Sequence, residues 1–314
     1  MLGLTIIKNR EPGMKPANIF LASLTTQGGR RVTKQALGAI ANIVGFEAET
    51  MPWASLKYAH TQYIRSELIA KYAPNTCNRF LSALRGVLRE CWRLGYMSAE
   101  DYQHACDLRS VRGETLPAGR GLAEGEILAL VQACQRDASP AGVRDAAIIG
   151  ILYTCGLRRA ELVSLELADL DIQTGAVKVL GKRHKERMVY IVGGALDALH
   201  DWLVLRGREA GALFQPVNKG SNIVPRGMTA HAIYSMLSKR GAEAQVASFS
   251  PHDLRRSFIS DLLDAGADIS TVAKMAGHYD VRTTMRYDRR PEEVKQKAAA
   301  LLHLPYQSKG DWLA

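Results

Sequence analysis

Four short segments of this chain concentrate side chains that can act on a phosphodiester. They are Thr154-Cys155-Gly156-Leu157-Arg158-Arg159-Ala160-Glu161-Leu162, the polar run Gly181-Lys182-Arg183-His184-Lys185-Glu186-Arg187, Pro251-His252-Asp253-Leu254-Arg255, and Gly277-His278 followed by Tyr287. If they converge, one site holds guanidiniums, an ammonium, imidazoles and a phenol. That inventory fits phosphoryl transfer without a metal. Negative charge builds on the non-bridging oxygens of an attacked phosphodiester, and rigid guanidinium forks answer it with paired charge-assisted hydrogen bonds. A tyrosine hydroxyl, with an ordinary pKa of about 10, must lose its proton as it attacks and needs a cationic surround. The leaving oxygen needs a proton, and a lysine at a hairpin tip can supply it if neighbouring cations lower its own pKa.

The elements that must position these groups can be read from periodicity and punctuation. In the first part, helices are expected over Thr33 to Val44, Ala54 to Lys71, Pro74 to Leu94 and Ala99 to Leu108. Pro74 suits a helix start, where its missing N–H is not needed. On that helix Phe80, Leu84, Val87, Leu88 and Cys91 fall on one face, with Arg79, Arg85, Arg89 and Arg93 opposite. Such a basic stripe serves either as a solvated face or as a row of phosphate contacts. The run Ser110 to Gly121, with Gly113, Pro117, Gly119 and Gly121, reads as a break between domains, giving a first domain over 1–112, a linker over 113–121 and a second domain over 122–314.

In the second domain, helices are expected near Leu122 to Arg136 and Val143 to Cys155, then a short one from Arg159. Ala176 to Val192 alternates as a β-hairpin around the Lys182 run, whose Lys185 and Arg187 suit phosphate contact or a solvated turn. Further helices are expected over Ala195 to Leu205, Thr229 to Arg240, His252 to Ala265, Ile269 to Ala276, Val281 to Asp288 and Glu292 to His303. The architecture is therefore mainly α with a small β-sheet.

The chain has 314 residues, 47% of them apolar, enough for a packed core in each of two domains. A net charge of +10 points to a polyanionic partner, since lysine and arginine gain affinity by displacing counterions from nucleic acid. The five cysteines are odd in number and show no CxxC spacing, so neither a disulfide framework nor a zinc site is indicated, and a reducing compartment is expected. No apolar stretch approaches the roughly 20 residues of a membrane span. No P-loop or dinucleotide fingerprint is present, so no nucleotide cofactor is implied.

Together the four segments resemble the signature boxes of the tyrosine recombinase, or phage integrase, family, with the compact Xer-type members as the nearest pattern. The first is similar to T-G-L-R-x-S-E-L, the hairpin to the family's lysine hairpin, the third to H-x-L-R, and Gly277-His278 with Thr283, Thr284 and Tyr287 to L-G-H…T-T-x-x-Y. The resemblance implies an α-helical, SAM-like core-binding domain and an α/β catalytic domain closing as a C-shaped clamp on DNA. It implies Tyr287 as nucleophile, Arg158, Arg255 and His278 on the phosphate, His252 in orientation and proton transfer, Lys182 as general acid, and Glu161 as support.

The implied reaction leaves a 3′-phosphotyrosine and a free 5′ hydroxyl, proceeds through a Holliday junction, and needs neither metal nor cofactor. The implied partners are duplex DNA with an inverted-repeat core site and further copies of the chain, two on a site and four in synapsis, with a C-terminal helix exchanged between them. Location in the cytoplasm at the nucleoid, and integration, excision or resolution of DNA elements, follow from the same resemblance. Two other readings share these residues: a catalytically inactive DNA-binding protein of the same fold, and a relaxing enzyme of the type IB topoisomerase kind.

Overall fold

The computed structural model describes residues 15–113, 119–181 and 185–288, with 299 and 305 beyond them. The chain divides into two compact units, Met1–Ala118 and Gly119–Ala314. Among the described residues it is helical apart from one two-stranded sheet, and no helix there is long and apolar enough to cross a membrane.

The first unit is built around α4 (Pro74–Arg93), which buries Cys77, Phe80, Leu81, Leu84, Val87, Leu88 and Cys91. Around it pack α1 (Pro16–Ser23), α2 (Gln27–Ile43), α3 (Tyr58–Lys71) and α5 (Ala99–Cys106). A Cβ on Gly86 would stand 2.1 Å from the Phe20 ring, so α1 seats its aromatic side chain directly on the α4 backbone.

Two helices of this unit differ from the expected ones. α2 starts at Gln27 rather than Thr33: Gly28 and Gly29 weaken the helical signal, yet the Thr26 hydroxyl accepts from the Gly29 N–H at 3.1 Å and caps the first turn. The helix expected from Ala54 is instead a 3-10 turn, Trp53–Ser55, followed by α3, because the Lys57 N–H donates to His60 Nδ1 at 3.0 Å and starts a new helix there.

The second unit contains α6 (Glu124–Gln135), α7 (Pro140–Thr154), α8 (Arg159–Ser164), strands β1 (Ala176–Leu180) and β2 (Glu186–Tyr190), α9 (Gly194–Arg206), α10 (Ala230–Glu243), α11 (Pro251–Asp264), α12 (Ile269–Ala276) and α13 (Arg282–Met285). The strands pair antiparallel with Val177 opposite Val189, and the alternation of the sequence puts Val177, Val179 and Val189 in the core. α10 is clamped to its neighbours by Arg240, whose Nε donates to Asp145 at 2.9 Å and whose terminal nitrogens reach Asp137 at 2.6 Å and Glu243 at 2.8 Å.

Two expectations shift here. Residues 119–121, placed by the sequence in a solvated linker, are tied into the second unit: the Arg120 N–H donates to Asp253 at 3.0 Å, and its guanidinium grips Glu126 through both oxygens. The helix expected over Val281 to Asp288 is a single turn, α13, and Tyr287 lies just after it, its N–H donating to Thr284 at 2.9 Å in a tighter i→i−3 bond. Residues 114–118, Lys182, Arg183 and His184, and the helix expected over Glu292 to His303 apart from residue 299, lie outside the described residues.

Candidate active site

Glu161 organises the first corner of the site. The turn at Gly156, whose φ of +59° is readily reached only by glycine, separates α7 from α8 and leaves Arg158 as the N-cap of α8. One Glu161 oxygen accepts from the Arg158 N–H at 2.9 Å, the other from the Arg158 guanidinium at 2.7 Å, and the second Arg158 terminal nitrogen donates to the Gly277 carbonyl at 3.0 Å. Burial works against ionisation of Glu161, whose side chain is 6% exposed, but the hydrogen bonds of Arg187 and Arg158 overcome it and hold the carboxyl below its usual range.

Arg187 corrects an expectation. Offered by the sequence as a DNA contact at the hairpin, its side chain is only 12% exposed. Its Nε donates to the Met275 carbonyl at 2.9 Å and its two terminal nitrogens to Glu161 at 3.2 and 2.8 Å. It binds β2 to the end of α12 and to Glu161, with its donors directed inward.

α11 carries the second corner. Asp253 closes its start by accepting from the Ser250 N–H at 2.8 Å and from the Ser250 hydroxyl at 2.9 Å. Arg255 is 2% exposed and donates to the carbonyls of Gly156 and Ala276, which fixes its fork. Burial, then the charge of Arg158, pulls its pKa down to about 10. Burial and the charges of Arg255 and Arg256 also lower His252 from the ordinary imidazole value.

The third corner follows α12. Gly277, left-handed at φ +64°, ends that helix and turns His278 inward, where its Nδ1 lies 2.8 Å from the Thr284 hydroxyl. Burial, with the charges of Arg255 and Arg158 next, pushes His278 down to about 4. Both imidazoles are therefore neutral near pH 7. The Tyr287 hydroxyl stands 3.5 Å from His252 Nε2, and its ring stacks on His278 with centroids 6.4 Å apart.

The structure thus brings together Arg158, Glu161, His252, Arg255, His278 and Tyr287. An open cleft beside them is lined by Leu157, Arg158, Arg159, Tyr234, Ser250, Pro251, His252 and Arg255. Three polar residues among these escaped sequence reasoning as site residues: Arg159, whose signal was its adjacency to Arg158, Ser250, just before the Pro251 segment, and Tyr234, on α10 with no motif around it. Arg256, whose guanidinium carbon is 5.5 Å from the Tyr287 ring centre, was also missed. Lys185 is exposed, with its ammonium 4.8 Å from the Tyr279 ring centre.

The α4 arginines sit in the first unit and differ among themselves. Arg79 is exposed and lies 5.6 Å from the Phe80 ring centre; Arg93 is exposed and pairs with Glu90 at 3.0 Å. Arg89 is exposed, and its charge is favoured by a hydrogen bond with Tyr102. Arg85 departs from the expected open stripe: it is half-buried and donates to the Cys106 and Leu108 carbonyls, closing the end of α5.

Residues 120–293 match the profile of the phage integrase family. The chain is 37% identical over 223 residues to tyrosine recombinase XerD of Pseudomonas aeruginosa, spanning 69% of this chain and 71% of that protein. It is 30% identical over 285 residues to tyrosine recombinase XerC of Alcanivorax borkumensis, spanning 87% of this chain and 89% of that one. Its fold is similar to that of the Tn1549 transposon integrase in complex with transposon right end DNA, with a TM-score of 0.69 at 15% identity over 92% of this chain and 99% of that one. It is also similar to the XerH site-specific recombinase bound to a palindromic difH substrate, with a TM-score of 0.63 at 18% identity over 87% and 76%. By these matches the chain belongs to the phage integrase family of tyrosine recombinases.

Proposed function

We propose that this protein is a site-specific DNA recombinase that cuts and rejoins duplex DNA through a covalent bond to Tyr287. The observation that carries the reading is a phenol 3.5 Å from a neutral imidazole, beside a cleft lined by two guanidiniums held in fixed orientation. The Xer relatives and the DNA-bound integrases support DNA as substrate, and a net charge of +10 fits that partner.

In the proposed step the Tyr287 oxygen attacks phosphorus, its proton passes to His252 Nε2, and the bond from phosphorus to the 5′ oxygen breaks. The product is a 3′-phosphotyrosine. Arg158, Arg255 and His278 bind the non-bridging oxygens, and Lys182 gives the leaving 5′ oxygen its proton. A 5′ hydroxyl from a partner strand reverses the step. The ester conserves the bond energy, so exchange through a Holliday junction requires no nucleotide hydrolysis.

In this reading two copies occupy an inverted-repeat site and four assemble in synapsis, within the cytoplasm at the nucleoid. The spacing of Val294, Ala298, Leu301 and Leu302 in the sequence is that of an amphipathic helix, which would suit a neighbouring copy. Arg79, Arg89, Arg93 and Lys185 are the proposed phosphate contacts outside the catalytic cleft. The test selects a bound site from random duplexes and places two copies on one plasmid. Deletion or inversion between them, without ATP, is expected; relaxation of any supercoiled plasmid with no exchange between sites would contradict it.

A further inference from the structure

Arg256 follows Arg255 on α11 and is 5% exposed. Its guanidinium carbon stands 5.5 Å from the centre of the Tyr287 ring, while His252, about one helical turn earlier, meets the Tyr287 hydroxyl at 3.5 Å. One turn of one helix therefore engages the phenol at both its face and its tip. The cation itself rests on a fixed base. Arg256 Nε is 4.0 Å from Asp253 Oδ1, and Asp253 is held by the Ser250 N–H at 2.8 Å, the Ser250 hydroxyl at 2.9 Å and the Arg120 N–H at 3.0 Å.

Tyr287 needs such a hold. It follows a helix of only four residues and is tied locally by its N–H to the Thr284 carbonyl, a bond that fixes the backbone and leaves the ring to be held by its side-chain contacts, His278 on one side among them. A buried guanidinium over an aromatic face is attracted by the ring quadrupole, more strongly where water is excluded. The same charge contributes, after burial and Arg255, to keeping His252 neutral.

We propose that Arg256 is a positioning residue for the nucleophile, its guanidinium holding the Tyr287 ring so that the hydroxyl meets His252 and the scissile phosphate. This rests on the reading of Tyr287 as nucleophile. Arg256 acts on the attacking side of the reaction, with no contact to the phosphate and no part in protonating the leaving oxygen.

The test uses the full chain with a nicked suicide duplex at saturating concentration, and duplex affinity measured separately. Arg256→Met is expected to form the covalent adduct about tenfold more slowly while binding DNA within about twofold of wild type. Arg256→Lys, which keeps a cation over the ring, should recover part of the rate. A duplex carrying sulfur in place of the bridging 5′ oxygen, whose leaving group needs no proton, should not rescue Arg256→Met. Should that variant fail to fold, Arg256→Gln, which can still hydrogen-bond Asp253, carries the same expectation.

An unslowed Arg256→Met or Arg256→Gln overturns the proposal. So does a rate loss matched by lost affinity, which would make Arg256 a phosphate contact, or a rescue by the sulfur duplex, which would place it on the leaving-group side. Failure of the parent reading is distinct: no wild-type adduct, or an adduct in Tyr287→Phe, sinks both.

Discussion

Glu161 holds two arginines at once, Arg158 at 2.7 Å and Arg187 at 2.8 Å, in a site where its side chain is 6% exposed. Removing the carboxylate leaves Arg187, 12% exposed, without its anion. Glu161→Ala should therefore cost about 3–5 kcal/mol in urea unfolding, the usual penalty for a buried charge stripped of its partner. A loss below about 1 kcal/mol would show the pair to be solvated. His278 gives a second prediction, on pH. Its pKa is pushed down to about 4 from 6.5, so between those values the unfolded chain takes up a proton that the folded chain refuses. Stability should be fully present above about pH 6.5 and decline as pH falls toward 4, and His278→Gln should flatten that slope in unfolding curves. His252, also lowered, supplies part of what remains. At this scale the sequence named most of the cluster, because residue type and order carry the chemistry. It could not tell Arg187 from a surface cation, since which carboxylate an arginine meets depends on tertiary packing: Glu161 is far from Arg187 along the chain.

The turn between α7 and α8 shows how elements aim these groups. A Cβ on Gly156 would fall 2.2 Å from the Phe258 ring, and φ there is +59°. Gly156→Ala should lose about 1–3 kcal/mol to backbone strain alone, with more for displacing Phe258. It should also slow DNA cleavage, because the Gly156 carbonyl is one of the two acceptors that hold Arg255. Wild-type stability and cleavage in that variant would mean that the turn does not set the arginine. Elements with a marked apolar period were legible: α4, α12 and the strands follow that spacing closely. Others were not: α1, eight residues like α12, carries its apolar residues without an amphipathic period, the single turn of α13 is too short to show one, and the cap at Thr26 outweighed two glycines that argued against a helix there. The Trp53–Ser55 turn was hidden because His60 caps a new helix from inside what read as continuous periodicity.

At the scale of the whole molecule, two units with separate cores and a net charge of +10 predict binding dominated by phosphate contacts. The logarithm of the association constant for duplex DNA should fall linearly with that of salt concentration. Arg79→Ala and Arg89→Ala should each reduce the slope by about one. Arg85→Ala should instead lower stability and leave the slope unchanged, because its guanidinium closes the end of α5; the reverse pattern would reinstate it as a phosphate contact. The glycine and proline cluster over 110–121 is the sequence signal for a break in the chain. The attachment of residues 119–121 was not legible, since the partners of Arg120, Asp253 and Glu126, show no signal near the break. Whether Tyr287 becomes covalently joined to DNA is decided by trapping on a nicked suicide duplex in EDTA. Wild type should form an SDS-resistant adduct and Tyr287→Phe none; an adduct that persists in Tyr287→Phe would remove Tyr287 from its role as nucleophile.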